Sequence, residues 1–595
     1  MVEEPRSGVS KPPPPKTSNP ATDFSIDLLT ALVRLGVRHV VVAPGSRSQA
    51  LALVAAELER VGAIELHVRI DERVGGFLAL GLALESGAPA VVVTTSGTAI
   101  ANVHPAVMEA HEARVPMIVI TADRPVELRG IRSNQTTTQP GAFGVAARVS
   151  LDIDANAGAD VAALAASLWA SAAYGPAHLN LALRDPLSAA VPDLSSLDLG
   201  ARSSESARLA AAQGDLSTTG EGSAGRSSES FISTRAVGDL VTTERLAPGA
   251  HTVVVAGDKA GPAAEELARV GGWPLIAEAS SSARFGPNLV VAYRALLNDA
   301  DFGGAVERAI VFGHPTLSRE IPALLARPDV EVIVVDRTDA PDFFDPGHRA
   351  RRVAGVELEA SVDPKDPDTH NWTGRWVFTS RRIVDLAEQP TAPAPSSDIS
   401  DGATRAAYLR GELAATREPV TRRMLADAVW RFTWPRDRLV LGASRLIRVL
   451  DGTVTGKKIT VHANRGLGGI DGTVATGIGV ALASADKGVT RILLGDLTLL
   501  HDVGALLRAP GERMPPVQVV VGNDRGGTIF EGLEVAASAA SDAFERVQLT
   551  PRDVDLAALA QAYGWQYRRA ATRGELDQAL SAVTPEPMII EVPLA

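Results

Sequence analysis

Short runs such as "HVVVAP", "AVVVTT", "MIVITA", "TVVVAG", "RAIVFG", "EVIVVD", "RILLGD" and "VQVVVGN" recur through the chain and constrain it most. A strand with one face in water alternates apolar and polar residues, whereas these runs are apolar throughout. They therefore read as strands covered on both faces. Helical patterns such as "DVAALAASLWASAAYG" lie between many of them. A strand, a helix and another buried strand in succession is the signature of parallel pairing with crossover helices. The expected fold class is α/β, with mainly parallel sheets flanked by helices.

At 595 residues the chain is too long for one hydrophobic core, and length alone suggests about three or four domains. Residues 1–20 are Pro-rich and polar and read as a disordered tail. Residues 196–229, low-complexity from about 201, and 388–402 read as linkers. The blocks left are 21–195, 230–387 and 403–595. A formal net charge of -12, with both signs interspersed, offers no stripe for a phosphate backbone, so nucleic-acid binding is disfavoured. The chain has no cysteine, which removes disulfides and thiolate metal sites together. Apolar runs fall short of the roughly 20 residues a membrane helix needs, and the N-terminal stretch lacks a signal-peptide core. A soluble, cytoplasmic protein is expected.

The densest chemistry lies in the third block, in "RILLGDLTLLHDVGALLRAPGERMPPVQVVVGNDRGGTIF". One strand ends at Gly495 and Asp496, and a second ends at Gly522, Asn523 and Asp524. Ligands of open parallel sheets sit beyond the carboxyl ends of the strands, so Asp496 and Asn523 should converge there. A carboxylate, an amide oxygen and a loop carbonyl suit a hard cation such as Mg²⁺. Taken singly, either residue is more often a helix cap or turn former. Earlier in the block, "LGASRLIR" supplies Ser444 and Arg448, and "HANRGLGGIDGTVATGIGVALA" supplies Arg465 and Ile470. The glycines there permit close backbone approach or offer amide donors to an anion, and helix packing alone also accounts for them.

Gly-Asp followed after about 27 residues by Asn-Asp-x-Gly-Gly resembles the cofactor motif of thiamine diphosphate enzymes. That chemistry requires a carboxyl group beside the aminopyrimidine nitrogen, best placed where desolvation raises its pKa. Glu72, in "VRIDERVGGFLALGLALES", is positioned for that role. Without the third-block motif, Asp71 and Glu72 would read as acidic residues favouring a helix N-terminus.

The strings "APGSRSQALAL", "DERVGGFLALGLA", "TADRPVELRGIRSNQTTTQ", "FGHPTLSRE", "LGASRLIR", "NRGLGGIDG" and "GDLTLLHDVGALL" make the resemblance specific. From about residue 22 to the C-terminus the chain resembles the 2-succinyl-5-enolpyruvyl-6-hydroxy-3-cyclohexene-1-carboxylate synthase family of menaquinone synthesis. The resemblance implies a pyrimidine-binding first domain, a central domain without cofactor, and a third domain holding diphosphate and Mg²⁺ or Mn²⁺. It implies 2-oxoglutarate as the decarboxylated donor and isochorismate as the acceptor. It places Ser46, Arg47, Arg124, Asn134, Gln135, Arg319, Ser444, Arg448 and Arg465 at the substrates. Glu72, Gln135, Arg465 and Ile470 are implied to be catalytic, and Glu72, Gln135, Ile470, Asp496 and Asn523 to touch the cofactor. Metal ligands are implied to be Asp496, Asn523 and the backbone carbonyl of Arg525. A homodimer or homotetramer is implied, with each site built from two chains. Two alternatives stay open: another carboligase, such as an acetolactate synthase-like enzyme using pyruvate, and a non-catalytic homologue.

Overall fold

The structure is a computed structural model that describes residues 15–197, 242–247, 251–338, 340, 342–359, 367–387, 401–484, 488–582 and 584–594. The expected tail at 1–20 and the linkers at 196–229 and 388–402 lie mostly outside these residues. The first helix, Pro20–Leu35, begins where the expected tail ends. Asn19 caps it by accepting the Thr22 N–H at 2.9 Å, and Pro20 supplies a pre-set first turn.

The first sheet contains β1 (His39–Val42), β2 (Glu65–Val68), β3 (Ala90–Thr94), β4 (Met117–Asp123), β5 (Val149–Asp154) and β6 (Pro176–Ala182). Next come β7 (Thr243–Leu246), β8 (Thr252–Ala256), β9 (Leu275–Ala277), β10 (Arg308–Phe312), β11 (Glu331–Val335), β12 (Arg351–Val353) and β13 (Gly355–Leu358). The third sheet contains β14 (Arg438–Leu441), β15 (Thr460–Ala463), β16 (Thr490–Gly495), β17 (Val517–Asn523), β18 (Gln566–Arg569) and β19 (Met588–Pro593). Every strand pairing among the described residues is parallel, including the separate β7–β13 pair.

The first sheet runs β2-β1-β3-β4-β6-β5 and the third β15-β14-β16-β17-β19-β18, the same order in two stretches with no visible sequence repeat. The central sheet, β12-β11-β10-β8-β9, follows that order through its first four strands. In each case the chain runs outward in one direction and then reverses. The crevices between β1 and β3, and between β14 and β16, are therefore where such sheets receive ligands.

Burial explains the missing alternation. Val40, Val42, Val91, Val93, Ile118 and Ile120 face one apolar cluster, while Val41, Val92 and Val119 face another. The second cluster is shared, because Phe77 and Leu78 of helix Glu72–Ser86 meet Val474 and Ile478 of helix Thr473–Ala483 there. These two helices cross with backbones touching. A Cβ on Gly81 would lie 2.0 Å from Thr476 O, and one on Gly479 would lie 2.2 Å from Leu78 O. The small-residue pattern of the second helix is thus a packing surface joining the first and third sheets. Among the described residues no helix is long and apolar enough to cross a membrane.

Candidate active site

Asp496 is the first residue after β16 and opens helix Asp496–His501. Gly495 pairs with Gly522, so Asp496 and Asn523 leave neighbouring strands side by side. Asp496 is only 4% exposed, yet neither of its carboxylate oxygens has a hydrogen-bond partner. Burial pushes its pKa up to about 6, and the Asp524 carboxylate adds to the rise. The N–H groups of Leu497 and Gly526 lie near enough to favour its charged form without completing a bond. A buried, unpaired carboxylate is costly, and a bound cation removes that cost.

Asn523 is oriented to serve such a cation. Its amide nitrogen donates to Glu591 Oε1 at 2.8 Å, which turns its carbonyl oxygen toward the loop and the Arg525 N–H at 3.2 Å. Arg525 holds a left-handed backbone, φ +59°, and Gly526 follows at +134°. Asp524, between them and Asn523, is engaged by Arg422 and Thr528. The residues present therefore fit a hard cation bound by Asp496, Asn523 and the Arg525 carbonyl.

The crevice of the first sheet holds a second group. The loop after β1 carries Ser46 and Arg47, and a Cβ on Gly45 would lie 2.2 Å from Thr95 Cβ in the loop after β3. Arg124, following β4, donates to Ser96 Oγ at 2.6 Å and to Gln135 O at 2.5 Å. Gln135 has φ +54° and donates from Nε2 to Ser96 O at 3.0 Å. Burial and the neighbouring Arg47 lower the Arg124 pKa, which marks two guanidinium groups close together. Asn134 is exposed beside them. Ser96 and the buried Gln139, which accepts the Gly97 N–H at 2.9 Å, were not singled out from the sequence.

Glu72 opens helix Glu72–Ser86, and the preceding Asp71 caps it by accepting the Arg73 N–H at 2.9 Å. The helix-start reading of the acidic pair therefore holds for Asp71. Glu72 itself is half-buried and accepts a hydrogen bond from Asn102 Nδ2 at 3.1 Å. Arg73 reaches the third sheet's helix, donating to His501 O at 2.8 Å.

Ser444 caps helix Arg445–Thr453, so its backbone carbonyl can also accept from Arg448 at 3.1 Å. Arg465, 8% exposed, donates to both the hydroxyl and the carbonyl of Thr316 in the loop after β10. Burial lowers the Arg448 pKa, followed by the charges of Arg465 and Arg294. Arg294, unforeseen from the sequence, is pinned by Asp451 at 2.6 Å. Arg319 stands exposed at the end of the same loop, and Ser318 serves its helix through a long bond to the Ile321 N–H. Glu109, also unforeseen, accepts the Gly466 and Leu467 N–H groups, each at 2.7 Å, and so holds the loop between Arg465 and Ile470. Ile470 remains 36% exposed.

Asp496 and Asn523 thus leave adjacent strands, Arg47 and Arg124 lie together, Arg448 and Arg465 lie together, and Glu72 stands with Asn102. His104, read as structural, packs edge-on against Phe143. Residues 23–145 match the thiamine pyrophosphate enzyme N-terminal TPP binding domain, and residues 453–592 match the C-terminal TPP binding domain. A 2-succinyl-5-enolpyruvyl-6-hydroxy-3-cyclohexene-1-carboxylate synthase of Leifsonia xyli subsp. xyli is 55% identical, covering 98% of this chain and 97% of the relative. Those of Clavibacter michiganensis subsp. michiganensis and Kineococcus radiotolerans are 53% and 42% identical, covering 98% and 96% of this chain and 97% and 95% of the relatives. Likeness on this scale, across nearly the whole of each chain and both cofactor-binding regions, shows that the chain belongs to the 2-succinyl-5-enolpyruvyl-6-hydroxy-3-cyclohexene-1-carboxylate synthase family and is a thiamine diphosphate-dependent enzyme.

Proposed function

We propose that the protein decarboxylates 2-oxoglutarate and joins the remaining four-carbon unit to isochorismate. The products are CO₂ and 2-succinyl-5-enolpyruvyl-6-hydroxy-3-cyclohexene-1-carboxylate, a step of menaquinone biosynthesis in the cytoplasm. When bound, thiamine diphosphate supplies a nucleophilic carbon that attacks the keto group and an electron sink for the bond to CO₂. Asp496, Asn523 and the Arg525 carbonyl would hold Mg²⁺ or Mn²⁺, which would neutralise the charge of the diphosphate. Glu72 would hold a proton at the aminopyrimidine nitrogen, and Ile470 would offer the cofactor an apolar contact. Gln135 faces the same crevice.

Both substrates are dicarboxylates, and guanidinium forks are the natural receptors for carboxylates. Ser46, Arg47, Arg124 and Asn134 form one receptor, and Ser444, Arg448, Arg465 and Arg319 form the other. Arg124 and Arg448 are each desolvated beside other guanidinium groups, so an arriving carboxylate would meet a concentrated positive charge there. The observation that carries this reading is the pairing of those arginine clusters with a buried, unpartnered carboxylate at Asp496.

The active unit in this reading is a homodimer or homotetramer in which Glu72 of one chain serves the Asp496 site of another. Support comes from apolar side chains left bare beside the site residues. Ile70, two positions before Glu72, is 74% exposed, and Leu467 is 54% exposed beside Ile470. The test is incubation of the purified protein with thiamine diphosphate, Mg²⁺, 2-oxoglutarate and isochorismate, with the product identified by mass. Release of CO₂ without the expected adduct, or an adduct formed from pyruvate in preference to 2-oxoglutarate, would overturn it.

A further inference from the structure

The edge of the first sheet carries a cluster of side chains that the reaction above leaves unused. His39 on β1 stands directly opposite Glu65 on the edge strand β2. Strand side chains alternate, so His67, two residues beyond Glu65, returns to the same face. One ligand atom from each of the three residues lies within 4.8 Å of the others, and His39 Nδ1 is 3.3 Å from His67 Nε2. Two imidazole nitrogens on one tetrahedral cation, each about 2.0–2.1 Å from it, are themselves separated by about 3.3–3.4 Å. The observed spacing is the bite of a chelating pair.

The surroundings suit a cation that accepts nitrogen. Burial lowers the pKa of both rings, against the opposing charge of Glu65 at His39 and with His39, Arg69 and Arg513 adding to it at His67, which favours the neutral imidazole that binds a metal. Glu65 is only loosely committed. Arg513 Nη2 lies 3.5 Å from its Oε2, beyond a good hydrogen bond, and is anchored instead on Leu482 O at 2.6 Å. Arg69, the other nearby cation, is neutralised by Glu512 at 2.7 Å. A site of two nitrogens and one oxygen differs in kind from the all-oxygen cradle at Asp496. Imidazole favours Zn²⁺, Co²⁺ or Ni²⁺, whereas Mg²⁺ demands oxygen and keeps its water.

We propose that His39, Glu65 and His67 bind one Zn²⁺-class divalent cation per chain, separate from the cofactor's metal. The cation ties the edge strand β2 to β1. The end of β2 leads within a few residues to Asp71 and Glu72, so the site braces the segment that presents the helix start. An edge strand has one neighbouring strand instead of two, and a metal clip supplies a second restraint.

The experiment uses the untagged full chain, loaded with thiamine diphosphate and a large excess of Mg²⁺. Co²⁺ is titrated with detection of its visible d–d bands, followed by displacement with Zn²⁺ and calorimetry with Zn²⁺ alone. The expected result is one Co²⁺ per chain in a low-symmetry, tetrahedral-type spectrum, displaced by Zn²⁺, with a rise in melting temperature. Glu65→Gln, at a half-buried position that tolerates the change, should weaken binding by at least the roughly ten- to hundredfold that losing an outer-shell partner costs. His39→Asn should abolish the spectrum. A wild-type protein that binds neither metal under these conditions leaves only an imidazole–imidazole hydrogen bond and overturns the proposal. Wild-type affinity in both variants does the same.

Discussion

At the scale of single residues, the site is defined by groups whose burial is at odds with their charge. Asp496 and Glu278 are both raised carboxylic acids, but they differ in what they face. Neither Asp496 oxygen has a hydrogen-bond partner, whereas Glu278 accepts N–H bonds from Thr316 and Leu317 and so holds the loop on which Arg465 leans. Burial, with Asp451 nearby, pushes the Glu278 pKa from 4.5 up to about 8. Between those values the unfolded chain releases the proton and the folded chain keeps it. Stability therefore falls as pH rises through that window and levels off above it. Chemical denaturation of Glu278→Gln across pH 5–8 should show a shallower decline than wild type; parallel curves would contradict the assignment. Glu72→Gln should lower turnover by about 10²–10⁴-fold while cofactor affinity by calorimetry stays close to wild type. Near-normal turnover would remove Glu72 from its proposed role.

At the scale of elements, the crossing of helices Glu72–Ser86 and Thr473–Ala483 decides how the first and third sheets meet. The crossing requires glycine because another residue's backbone fills the space of each missing Cβ. Gly479→Ala would drive a methyl into Leu78 O, so the helices must separate and forfeit packing along the shared cluster. The expected loss is about 1–3 kcal/mol, read as a lower denaturation midpoint. Gly374, on an exposed stretch of helix Pro367–Ala387 with nothing near its Cβ direction, is the control. Gly374→Ala should be neutral or stabilising by up to about 1 kcal/mol. Equal losses at both positions would mean that the crossing is not the cause.

At the scale of the whole molecule, the proposed sharing of each site between chains makes a sharp prediction. Glu72→Gln and Asp496→Ala homo-oligomers should each be nearly inactive. Mixed dimers should recover one intact site, giving about a quarter of wild-type activity after random reassortment. Sites contained within one chain would give no recovery. The α/β class was legible in the sequence because parallel strands buried on both faces cannot hide their uniform apolar runs. Asp496 and Asn523 stood out as candidates because each lies at the end of such a run, where these sheets bind ligands, whereas Glu72 follows the partly exposed edge strand β2 and stood out only once the third-block motif called for a carboxyl group. The matching strand orders of the first and third sheets were invisible, since topology depends on which strands pair and not on which residues they contain. Arg294, Glu109 and Glu278 were missed for the same reason: each acts on a loop far away in the chain, and only folding sets their burial and brings the partners within hydrogen-bond reach. Local chemistry and the strand-and-helix rhythm could be read along the chain, because they depend on side-chain type and short spacing. The tertiary structure alone decided which charges lose their water and which partners they find, because desolvation and contact are properties of the packed chain.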